Sequence, residues 1–147
     1  MTRQHDWQTV ATRAGDILSG GCHCSEAVFW AVGEHLLPEI HPQSKRMATL
    51  FGGGVGGCRE ELCGALSGAI LAMSALLGRS ECGIDDKAEM ALAKAFRERF
   101  RAEFESTICK PLRDRFNPDG QGSCRPLVER TVRLLLEFLA EANRIER

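Results

Sequence analysis

The residues that could do chemistry in this chain are its seven cysteines. Four of them lie at the start or approach of a helix: Cys24, Cys63 and Cys124 open segments with helical periodicity, and Cys109 lies just past the long charged segment, before Pro111. A helix start offers unpaired backbone N–H groups and the positive end of the helix dipole. Both favour a thiolate, so cysteines placed there are expected to ionise below the ordinary value of about 8.5. The thiolate is the form that attacks disulfides and binds metals. Two chemistries therefore stay open: exchange of thiols and disulfides, and electron transfer through a cysteine-held metal centre. Glu60 and Glu61 oppose ionisation at Cys63, and Arg59 partly offsets them. Free cysteine is also among the most buried residue types. A helical interaction or oligomerisation module whose cysteines only pack is thus the competing reading. Cys22, Cys58 and Cys82 read as incidental, and of the histidines only His23, between Cys22 and Cys24, stands where a role would be expected.

Spacing narrows the chemistry. No Cys-x-x-Cys occurs, which excludes the thioredoxin motif and a zinc ribbon. Cys58 and Cys63 match the first step of a plant-type ferredoxin run, but the next ligand position holds Leu66. Gly52, Gly54 and Gly57 satisfy G-x-G-x-x-G, yet no strand precedes them, and the Lys-Ser/Thr of a phosphate loop is missing. The expected role of this loop is steric. Gly53, Gly54 and Gly56, together with Gly64 beyond it, would let backbone approach a sulfur site without β-carbons in the way. A small-molecule site at the loop is a third possibility.

The elements that must position these residues follow a helical period nearly throughout. Trp7, Val10, Ala11, Ala14, Ile17 and Leu18 form one stripe, with Asp6 as the expected cap and Gly20-Gly21 as the stop. A second helix is expected from Cys24 to Leu37, and a short third over Gln43–Phe51. A central helix is expected over Glu60–Leu77, where Gly64, Gly68 and Ala72 leave one side without bulk. A charged helix should begin at Asp85 or Asp86 and reach Ser106, with Ala88, Ala91, Leu92, Ala95, Phe96, Phe100 and Phe104 inward. Pro111–Ser123 reads as a loop, and Cys124–Asn143 as the last helix. The expected fold is all-α: one domain over residues 1–147, a bundle of five or six helices with a glycine-rich loop before a buried central helix.

Composition removes other classes. Nineteen Lys and Arg balance 20 Asp and Glu, tyrosine is absent, and the pI is about 6.4. A nucleic-acid or anionic-membrane binder would carry a basic surplus. The N-terminus lacks an apolar signal region, and Leu62–Gly78 is too short and too rich in Gly and Ser for a membrane span. A cytoplasmic location with reduced thiols is the expectation.

Read together, the motifs resemble those of the C_GCAxxG_C_C family, whose members are described as redox-active. The resemblance rests on His23-Cys24-Ser25-Glu26, on Phe51–Gly56, on Cys63-Gly64-Ala65-Leu66-Ser67-Gly68, and on the single Cys109 and Cys124; it covers roughly Ile17 to Val128. It implies a small helical protein whose redox residues map onto Cys24, Cys63, Cys109 and Cys124. It also implies a redox partner protein, an oxidoreductase role, and an iron–sulfur cluster or other iron centre. No Cys-x-x-Cys-His is present for covalent haem, and Cys58 is an addition to the family pattern. A homo-oligomer is a further expectation.

Overall fold

The computed structural model describes the backbone of residues 3–146 and the side chains of residues 6–146. Among these residues the chain forms seven α-helices: α1 (Arg3–Ser19), α2 (Cys24–Leu36), α3 (Pro42–Arg46), α4 (Gly64–Leu77), α5 (Lys87–Phe104), α6 (Cys109–Phe116) and α7 (Arg125–Glu141). A 3-10 turn at Thr49–Phe51 precedes the glycine segment. No strand is formed among the described residues; Leu62 and Ile108 pair in one isolated antiparallel bridge. Among the described residues no helix is long and apolar enough to cross a membrane.

Helix α4 is the centre. Gly64 to Ala69, Ala72 and Met73 are buried, which fits a helix apolar on nearly all sides. Its small residues let α2 come close. At Gly68 a β-carbon would lie 2.6 Å from the Ser25 carbonyl oxygen and 3.1 Å from the Val28 β-carbon. α1 and α7 close the other side of the bundle with Val10, Ala11, Ala14, Val128, Val132, Leu135 and Leu139. Burying apolar area of this kind stabilises a fold by roughly 25 cal/mol per Å² removed from water.

The helix expected at Glu60 begins only at Gly64, because residues 58–63 run irregularly along the chain before α6. The expected loop over Pro111–Ser123 starts instead as helix α6, with Pro111 in its first turn, where a missing N–H has no cost. That helix takes the count to seven rather than five or six. Asp6 does not cap α1, which starts at Arg3. In α5 only Phe96, Phe100 and Phe104 are buried; Ala88, Ala91 and Ala95 are exposed, and the N-terminal half meets the core through the partly buried Leu92 and lies against α4 through Met90 and Ala93.

Candidate functional site

Four helices begin around one cavity. Cys24 is the first residue of α2 and Cys109 the first of α6; Cys63 and Cys124 are the residues that cap α4 and α7. All four line a single cavity of about 250 Å³, and Cys22 lines it too. All seven cysteines of the chain are free thiols.

Local structure explains each position. At α2, the Glu26 carboxylate reaches back to accept from the His23 N–H at 2.9 Å and from the Thr49 hydroxyl at 3.0 Å. The Ser25 hydroxyl donates to the Ala48 carbonyl at 2.7 Å. Ser25 and Glu26 therefore fix a helix start, and they tie it to the segment leading into the glycine turn. At α4 and α6, the Cys63 N–H donates to Thr107 at 2.8 Å, and the Cys109 N–H donates to Glu61 at 2.9 Å. These two bonds flank the Leu62–Ile108 bridge, so Cys63 and Cys109 are held by the same short pairing. At α7, the hydroxyl of Ser123, one residue before the capping Cys124, accepts from the Arg125 N–H at 3.2 Å and fixes the turn that leads into the helix.

The glycines do not act alike. The Cys24 sulfur fills the space a β-carbon on Gly64 would occupy, with the Ser25 nitrogen 3.2 Å from that point. At Gly54, where φ is +69°, a β-carbon would lie 2.6 Å from the Cys109 β-carbon. Gly53 lines the cavity. Gly56 is exposed with open space around it, so it does not shape the site as expected. Every residue from Gly53 to Gly57 has φ between +61° and +73°, a run that includes Val55 at +68°.

The electrostatics correct the expectation of easy ionisation for Cys63, Cys109 and Cys124. Burial pushes the Cys63 thiol up to about 12, and the neighbouring Cys24 and Cys109 add to the rise. The amides of Ala65 and Leu66 at the start of α4 pull the other way, as a helix start should, but they are outweighed. Cys109 and Cys124 are also raised, first by burial and next by Cys24; the Arg113 charge opposes both shifts, and Arg59 also opposes that of Cys109. Glu60 and Glu61 are exposed and do not figure at Cys63. Three thiols are thus held neutral around Cys24, which acts on all of them.

Cys63 and Cys109 are buried, whereas Cys24 and Cys124 are half-buried. His23 is an exposed residue on the rim. Cys22, read as incidental, belongs to the cavity; its place two residues before Cys24 was the available signal. Cys58 and Cys82 are exposed and lie outside it. The Cys58 thiol donates to the Gly54 carbonyl at 2.9 Å.

An iron centre would need several of these sulfurs directed at one point. Among the described residues no three His, Cys, Asp or Glu side chains form a set that could hold a metal ion. The arrangement does not fit such a centre.

The sequence profile of the family described as "Putative redox-active protein (C_GCAxxG_C_C)" matches residues 22–138, a span that contains every cavity cysteine. No curated protein and no solved structure shows a significant match to the chain.

Proposed function

The chain belongs to the C_GCAxxG_C_C redox-active family, and on that premise we propose that it exchanges thiols and disulfides, with Cys24 as the attacking thiol. The observation that carries the reading is the convergence of four helix-start cysteines on one cavity, with Cys24 half-buried and the other three electrostatically coupled to it.

The Cys24 thiolate attacks one sulfur of a substrate disulfide. A Cys24–substrate disulfide forms, and the other half of the substrate leaves as a thiolate. Cys124 then resolves the adduct. It is the one other half-buried thiol of the four. Its raised proton affinity keeps it neutral until a base accepts that proton, and the departing thiolate is such a base. The Cys124 sulfur displaces the bound half-substrate from Cys24 and closes a Cys24–Cys124 disulfide. Two protein thiols are oxidised and one substrate disulfide becomes two thiols, so electrons and protons balance. A dithiol reductant, supplied by a redox partner protein, restores the pair by the reverse exchange. A reducing compartment such as the cytoplasm suits this cycle.

The test is intact-mass analysis of the reduced protein after exposure to bis(2-hydroxyethyl) disulfide without oxygen. A transient single adduct followed by loss of two hydrogens is expected, with peptide mapping giving Cys24–Cys124. Cys124→Ser should trap the adduct on Cys24, and Cys24→Ser should abolish it. Adducts confined to the exposed Cys58 and Cys82 would overturn the reading.

A further inference from the structure

The charge lining the cavity is one-sided. Among the described residues, Arg113 is the one permanently charged side chain on its wall, and no Asp or Glu lines it. Arg113 stands one helical turn after Cys109 on α6, so the same face of that helix presents a thiol and a guanidinium to the cavity. Its guanidinium forms no ion pair among the described residues. Most other arginines with described side chains are paired: Arg13 with Glu34, Arg79 with Asp86, Arg99 with Glu141, Arg115 with Glu105, Arg125 with Asp16, Arg130 with Glu103 and Arg144 with Glu89.

Resting on the thiol-exchange reading above, we propose that the substrate is a small disulfide carrying a carboxylate, which Arg113 receives while Cys24 attacks the sulfur. A planar guanidinium suits a carboxylate because two of its N–H groups can donate in parallel. The size agrees: about 250 Å³ is below the usual range for drug-sized ligands and admits one arm of a small disulfide. The Arg113 charge already reaches the thiols of Cys109 and Cys124, which places it within electrostatic range of the resolving sulfur. A cation beside the leaving thiolate would also favour its departure.

Three probes of similar size separate charge from reactivity: 3,3′-dithiodipropionate carries two carboxylates, bis(2-hydroxyethyl) disulfide is neutral, and cystamine carries two ammonium groups. Each rate of adduct formation at Cys24, in the Cys124→Ser background, is divided by that probe's rate with N-acetylcysteine amide. The expected order is anionic, then neutral, then cationic, with roughly tenfold between the extremes at low salt. The order should fade as salt rises to about 1 M, where the Debye length falls to about 3 Å. Arg113→Gln should collapse the order and Arg113→Lys should largely keep it, circular dichroism confirming that both are folded. Equal normalised rates in the wild-type pocket, or an order that survives Arg113→Gln, would overturn the substrate class while leaving exchange at Cys24 intact. Failure of all three probes to modify Cys24 would overturn the exchange reading itself, and this inference with it.

Discussion

The sulfur of Cys24 sits where a β-carbon on Gly64 would have to be. This relationship joins the first residue of α2 to the first residue of α4, and it sets how closely two of the four cysteine-bearing helix starts approach. Gly64→Ala should therefore destabilise the protein by about 1–3 kcal/mol. In a Cys24→Ala background the cost should shrink, giving a coupling of about 1 kcal/mol or more in a urea-denaturation double-mutant cycle. Additive effects would show that the two residues do not share that space.

Alkaline pH should weaken the fold through Cys63. Its folded value is pushed up to about 12, well above the ordinary thiol value of about 8.5, because burial disfavours the thiolate. A raised folded value means the contribution is fully present below about pH 8.5 and is lost as pH climbs toward about 12. Urea midpoints measured between pH 8 and 11 should fall more steeply for the wild-type chain than for Cys63→Ala. Tyrosine is absent from the sequence, so no phenol titration overlaps the comparison.

Val55 is a β-branched residue at φ +68° and is 44% exposed. It bears left-handed strain and contributes little burial in return. Val55→Gly should relieve that strain, of about 1–2 kcal/mol, against the greater chain entropy of glycine. A net stabilisation of up to about 1 kcal/mol is expected from the urea midpoint. Destabilisation would mean that the valine side chain has a packing role its exposure hides.

Glu26 accepts from both the His23 N–H and the Thr49 hydroxyl while only 8% exposed. Glu26→Ala leaves both donors without this partner and should cost about 1–2 kcal/mol. Glu26→Gln keeps a carbonyl acceptor and should recover part of the loss. Because the same residue ties the start of α2 to the segment before the glycine turn, the alanine variant should also speed alkylation of Cys24, read by mass spectrometry with limiting iodoacetamide.

Much of this was legible in the sequence. The period of Val10, Ala14 and Ile17, and that of Val128, Val132, Leu135 and Leu139, declared helices whose buried faces are the ones observed. The Gly64-Gly68 spacing declared a close helix crossing. Helix α6 was hidden because Pro111 reads as a breaker when the turn it opens is not known. The half-exposed α5 was hidden because alanine marks a helix without saying which side faces a core. Cys22 looked incidental because membership of a cavity depends on what lies across it.

The sequence by itself determined that Cys24, Cys63 and Cys124 stand at helix starts and which glycines leave room beside the sulfur site, since periodicity, capping and the absence of a β-carbon are local properties; that Cys109 opens a helix was not among them. Only the tertiary structure decided that those starts meet at one cavity, that Arg113 is the one fixed charge lining it, and that the thiols of Cys63, Cys109 and Cys124 are held neutral. The physical reason lies in range. A helix dipole acts on its own first turn and is written in the neighbouring residues, whereas desolvation is imposed by every segment that packs over a group, however far away in the chain.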